Sequence, residues 1–128
     1  MMLSEIAEYL EDEAIGTVDT DLFVGFMPDA PENCVYLDEY AGGPPEWTAD
    51  GKKIMNPGLH VEARGNVYST VRAKLQAIED LLDGITNTTI GSTFYISIWT
   101  PQSIIPMGWD KGLVKLAQNY RIKVRKED

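Results

Sequence analysis

The chain offers one histidine, His60, and one cysteine, Cys34, as side chains able to serve as a base or a nucleophile near neutral pH. His60 alternates with apolar neighbours in Leu59-His60-Val61-Glu62-Ala63-Arg64, a strand pattern that turns it away from the core, and neither a second histidine nor a nucleophile signature accompanies it. Cys34 opens a predicted strand and reads as a buried or half-buried structural thiol; alone, it can form neither an internal disulfide nor a thiolate metal site. Glu11, Asp12 and Glu13 stand side by side, whereas a dedicated calcium site presents its carboxylates around a loop, so they read as a solvated helix end. Gly42-Gly43 suggests a phosphate cradle until Pro44 and Pro45 follow, because proline lacks the N–H group that such a cradle needs. The sequence therefore predicts no catalytic residue, no cofactor and no metal.

Charge is more informative than chemistry. The net charge is −9, yet residues 1–50 hold thirteen Asp or Glu and no Lys or Arg, a charge of −13, while the remainder carries +4. An acidic half of this kind cannot bind DNA through phosphate contacts. Arg121, Lys123, Arg125 and Lys126 form a basic stripe, but no stacking platform accompanies it, so an acidic protein neighbour is the expected recipient and no sequence-specific nucleic acid is predicted. One copy's acidic face meeting another copy's basic face is the head-to-tail contact that generates rings. Simple solvation of both surfaces is the alternative.

The elements that must position these residues follow from periodicity. Residues 3–14 place Leu3, Ile6, Ala7 and Leu10 at helical spacing, running into Ile15-Gly16, where glycine can close the helix in a left-handed conformation. Residues 22–27 and 34–40 read as two strands forming an antiparallel hairpin, the second ended by Ala41-Gly42-Gly43-Pro44-Pro45. Residues 42–58 read as a long loop containing an Asp50-Gly51 turn, with Trp47, Ile54 and Met55 either docking a partner or folding back on the core. A third strand is predicted at 59–64. Val71, Leu75, Ile78, Leu82 and Ile85 then mark a helix over 67–85, with Gly84 near its end. Residues 94–100 read as a strand, 101–110 as a loop carrying Ile104, Ile105, Met107 and Trp109, and Lys111-Gly112 as a turn. The last segment alternates Tyr120, Ile122 and Val124 with Arg121, Lys123 and Arg125, a half-buried strand with a basic outer face.

The expected fold is α+β: a single domain over residues 1–128, with a mostly antiparallel sheet of about five strands and two helices on one face. No stretch approaches the roughly 18 to 20 apolar residues of a membrane span and the start lacks a secretory pattern, so a soluble protein, intracellular when made, is expected, with no membrane partner.

The helix 3–10 leading to Ile15-Gly16, the segment Asp21-Leu22-Phe23-Val24-Gly25-Phe26-Met27-Pro28 and the run Glu39-Tyr40-Ala41-Gly42-Gly43-Pro44-Pro45 together resemble the bacteriophage minor capsid protein family, whose members are similar to tail-terminator and tail-completion proteins. The later strand, helix and terminal strand fall in matching order, so the resemblance spans nearly the whole chain. It implies a non-enzymatic subunit of a ring, generally a hexamer, at the head-proximal end of a long phage tail. Such a ring stops tube polymerisation and joins the tail to the head. The implied partners are further copies of the chain, the tail tube protein and the neck or head connector proteins; the implied location is the virion, after assembly in the host bacterial cytoplasm. Subunit or partner contacts are expected at Glu11, Asp12, Glu13, Trp47, Ile54, Met55, Trp109, Arg121, Lys123 and Arg125. Two other readings stay open: a head-completion or stopper protein of the neck, and a small acidic cytoplasmic regulator that binds a basic protein.

Overall fold

A computed structural model describes residues 2–26, 28–29 and 31–125 of the chain. Met27, the last residue of the predicted first strand, and Lys126, the last of the predicted basic stripe, lie outside the described residues. The elements in order are α1 (Met2–Asp12), β1 (Leu22–Val24), β2 (Cys34–Trp47), β3 (Lys53–Gly65), α2 (Tyr68–Leu82), β4 (Ile85–Ile90), β5 (Thr93–Trp99), β6 (Ile105–Asp110) and β7 (Leu113–Arg125).

Both helices form where the apolar spacing demands. Leu3, Ile6, Ala7 and Leu10 of α1 are buried, as are Val71, Leu75, Ile78 and Leu82 of α2. Each such large side chain contributes about 1.5–3 kcal/mol by leaving water. The residue that closes α1 is Ala14 and not Gly16: Ala14 takes a φ of 62°, and the Ile15 N–H then bonds back to the Leu10 carbonyl at 2.9 Å. α2 stops at Leu82, so Ile85 of the predicted seam belongs to β4.

Among the described residues the sheet has seven strands where about five were expected. Its order is β1-β2-β3-β7-β5-β4, with β6 paired to β7. Two added strands, β4 and β6, account for the gap, and a third difference lengthens β2 and β3. The Gly-Pro segment does not end the second strand: β2 continues through Pro44 and Pro45 to Trp47, so residues 42–58 are mostly the two sides of a hairpin and not a loop. Both prolines lie in a register irregularity between the pairs Gly43↔Asn56 and Glu46↔Ile54, where no ladder N–H is required, and the Asn56 side-chain amide donates to the Pro44 carbonyl at 2.8 Å. Gly42 allows this close approach, since a Cβ there would lie 1.7 Å from the Asn56 carbonyl oxygen. The Asp50-Gly51 turn is present at the tip, with Gly51 at φ 85° and the Thr48 N–H donating to the Lys52 carbonyl. The added β4 is a strand of β-branched and polar residues, Ile-Thr-Asn-Thr-Thr-Ile, whose face pattern carries no apolar alternation. Residues 105–110 of the predicted loop form β6, bent by a register shift between Pro106 and Gly108.

β1 and β2 also run parallel, not antiparallel, with Leu22↔Val35 and Val24↔Leu37 in register. The nine-residue link at 25–33 is long enough to carry the chain back to the start of the next strand, and it contains Pro28 and Pro31, which cannot donate to a ladder.

Because α1 contacts β1 and β2 at one end of the strand order and β4 at the other, the sheet must curl around it. Glu5 fixes that closure. Its buried carboxylate accepts the Ser92 N–H at 2.5 Å, the Ser92 hydroxyl at 3.0 Å and the Thr93 hydroxyl, all at the β4–β5 turn. Burial alone would raise its pKa, but these hydrogen bonds outweigh burial and hold the carboxyl below its ordinary value. α2 covers β3 and β7, and Gln118 of β7 donates to Glu79 of α2 at 2.6 Å. The core thus lies between the helices and one face of a curled sheet, and among the described residues no helix covers the opposite face of β2, β3, β5 and β7.

Candidate assembly surface

Directly paired residues in adjacent strands present their side chains on one face, so register defines the uncovered surface. Core-facing pairs such as Leu59↔Tyr120 and Ala63↔Leu116 alternate with outward rows. Asp38↔His60 and His60↔Asn119 form one row. Tyr40↔Gly58, Gly58↔Arg121 and Trp99↔Arg121 form a second, crossing four strands. A third runs Glu46↔Ile54, Ile54↔Arg125 and Phe94↔Arg125 toward the hairpin tip.

His60 lies on this outer face, as the alternation predicts. Its Nδ1 sits 2.6 Å from Asn119 Oδ1, and its Nε2 3.6 Å from Glu62 Oε1. The Glu62 carboxylate holds the imidazole above its ordinary pKa against the opposing effect of partial burial, and Asn119 adds to the rise. Tyr36, edge-on to His60, is raised by burial and by the carboxylates of Asp38 and Glu62. Among the described residues, no three His, Cys, Asp or Glu side chains converge as a metal-binding set.

The residues singled out in the sequence fall into three places. Glu11, Asp12 and Glu13 sit at the end of α1, on the helical side, where Glu11 Oε2 accepts the Val18 N–H at 2.7 Å and Asp12 and Glu13 are exposed. Trp47, Ile54 and Met55 belong to the hairpin. Trp47 is 68% exposed, which excludes its folding back on the core; the Lys53 ammonium lies 5.7 Å from its ring centroid. Ile54 is half-buried and Met55 exposed. Trp109, on β6, is 62% exposed. Arg121, Lys123 and Arg125 share the outer face, but their circumstances differ. Lys123 pairs with Glu46 at 3.1 Å, and the Arg125 guanidinium lies 4.5 Å over the Phe94 ring. The acidic first fifty residues and the basic terminal strand therefore already form an ion pair inside a single copy, through Glu46.

Around Arg121 lies a cleft of about 280 Å³, bordered by Tyr40, Glu46, Gly58, Trp99 and Lys123. The Tyr40 ring crosses Gly58 so closely that a Cβ there would lie 2.3 Å from it, and its hydroxyl donates to the Tyr120 carbonyl at 3.1 Å. Tyr40 is thereby locked as one wall, with Trp99 on the other side of Arg121. Sequence reading missed Tyr40, Gly58 and Trp99 as site residues. An aromatic residue in register with a strand glycine is the signal that could have found the first two, once the pairing of β2 and β3 was extended past Tyr40.

Comparison with known proteins fits this architecture. No curated protein matches the chain by sequence. Among solved structures, a chain of the virion of a native gene transfer agent particle shares the fold with a TM-score of 0.54 at 16% identity, covering 84% of this chain and 80% of that one. A family model described as bacteriophage tail terminator protein matches residues 9–123, which takes in β2, β3 and β5 whole and β7 as far as Lys123. On that match the chain belongs to the bacteriophage tail terminator family, and it is a structural protein of a phage tail.

Proposed function

We propose that the chain assembles into a homo-oligomeric ring, a hexamer, at the head-proximal end of the tail tube, where it ends tube growth and joins the tail to the head without catalysing a reaction. Family membership over residues 9–123 is the observation that carries this reading. The shared fold with a virion chain of a gene transfer agent particle supports a place in the mature virion, reached after assembly in the host cytoplasm. The surface supports it as well. A subunit whose acidic helix end and basic outer strand lie on opposite sides of its sheet is built for contacts between unlike surfaces, the kind that close into rings. The hairpin tip with Trp47 and Met55, and β6 with Trp109, then supply exposed apolar anchors for the tail tube protein and the neck or connector proteins.

Electron microscopy of particles made without this gene tests the reading. Filled, tailless heads beside free tubes of uncontrolled length are the expected products. Tubes of normal length beside heads that have lost their DNA would move the protein to head completion instead.

A further inference from the structure

Building on the ring reading, we infer that the Arg121 cleft is the socket that receives Asp12 and Glu13 of a second copy. Of the four cations on β7, Lys115 has its own partner, Lys123 is engaged by Glu46 and Arg125 lies on Phe94, whereas Arg121 has no hydrogen-bond or ion-pair partner among the described residues and stands exposed. Its guanidinium is a planar fork suited to carboxylates. Tyr40, held over Gly58 by its bond to the Tyr120 carbonyl, and the half-exposed Trp99 flank it in the same row, so the fork sits between two aromatic side chains, one of them fixed. The cleft's volume, about 280 Å³, is several times the roughly 30 Å³ share of a liquid water, so it has room for side chains.

The occupant follows from charge. A helix C-terminus carries a partial negative charge, and α1 ends in Glu11-Asp12-Glu13 with no basic residue in its last turn. Glu11 is satisfied by the Val18 N–H, and Lys74, whose ammonium bonds the Ile15 carbonyl at 2.7 Å, brings a cation to the following loop. Asp12 and Glu13 have no side-chain partner among the described residues, and both are exposed. Within one copy they cannot reach Arg121. α1 lies over β1, β2 and the β4 end on the helical side, while Arg121 faces outward from β7, two to three strand spacings or about 10–14 Å across and on the opposite face. That separation exceeds the screening length of about 8 Å at physiological ionic strength. The unbalanced acids and the unpaired arginine therefore complement each other only between copies.

Charge reversal tests the docking in the full chain. Asp12, Glu13 and Arg121 are exposed, so Arg121→Glu and the double change Asp12→Arg/Glu13→Arg should leave the melting temperature nearly unchanged. In sedimentation velocity at low salt, each variant alone should associate at least tenfold more weakly than the wild-type chain. An equimolar mixture of the two should recover association, because every junction between unlike variants again joins opposite charges. Wild-type-like association of Arg121→Glu, or a mixture no better than its components, overturns the docking and leaves the ring reading intact. A wild-type chain that stays monomeric at low salt also overturns the docking, and tube length in the gene-deletion particles then decides the ring reading by itself.

Discussion

Glu5 is one carboxylate that receives three donors, so replacing it with glutamine changes hydrogen bonding without changing size. The Ser92 N–H and hydroxyl meet Oε2, and the Thr93 hydroxyl meets Oε1. Glutamine keeps one acceptor oxygen and turns an NH₂ toward donors that then have no acceptor. A hydrogen bond to a charged group contributes about 1.5–3 kcal/mol and a neutral one about 0.5–1.5 kcal/mol. Weakening one side of the constellation and breaking the other should cost about 2 kcal/mol, which for a domain of this size lowers the melting temperature by roughly 8 °C at pH 7. The pH dependence has a definite sign. The folded carboxyl is held below its ordinary value, so its contribution is full above the unfolded pKa of about 4.3 and is lost as pH falls through the folded value. The gap between wild type and Glu5→Gln, followed by circular dichroism melting, should therefore be widest near neutrality and narrow steadily below about pH 4.3. A gap under 2 °C at pH 7, or one of constant width down to pH 3, would show that the carboxylate does not hold α1 to the β4–β5 turn.

Gly58→Ala drives a Cβ to 2.3 Å from the Tyr40 ring, so melting should reveal a loss of about 1–3 kcal/mol. In a Tyr40→Ala background the same change should cost much less; equal cost in both backgrounds would detach the ring from the glycine. Burial pushes the Cys34 thiol above its ordinary pKa although Arg64 opposes the rise. At pH 8 the native chain should react with a thiol reagent at least tenfold more slowly than the urea-unfolded chain, and equal rates would place the sulfur in solvent.

Amphipathic periodicity made both helices legible, and clean alternation did the same for the outer half of β7, because each pattern records a single buried face. The missing strands are those whose partners, and not their own sequences, make them strands. β4 lies at the end of the strand order with Thr86, Asn87, Thr88 and Thr89 exposed, so no apolar face marks it. Pro44 and Pro45 signal a break to any local rule, yet they fall where β2 slips register and the Asn56 side chain substitutes for a ladder bond. β1 looked like half of a hairpin because its neighbour in sequence is also its neighbour in the sheet; its direction was set by the length of the link. The basic residues of the candidate surface were legible as a stripe. What distinguishes Arg121 from Lys123 and Arg125 was not, since Glu46 and Phe94 reach β7 only through strand pairings across β3 and β5.

The closure of the sheet by α1 also sets an order of events in synthesis. Glu5 leaves the ribosome 87 residues before Ser92, its partner. At roughly 5–20 residues per second, that is a wait of about 4–17 s. Throughout it the apolar stripe of Leu3, Ile6, Ala7 and Leu10 has no β4–β5 turn to complete its seat. A nascent chain in this interval can seat the helix on β1 and β2 alone, so the seal at Glu5 waits until the far turn has left the ribosome.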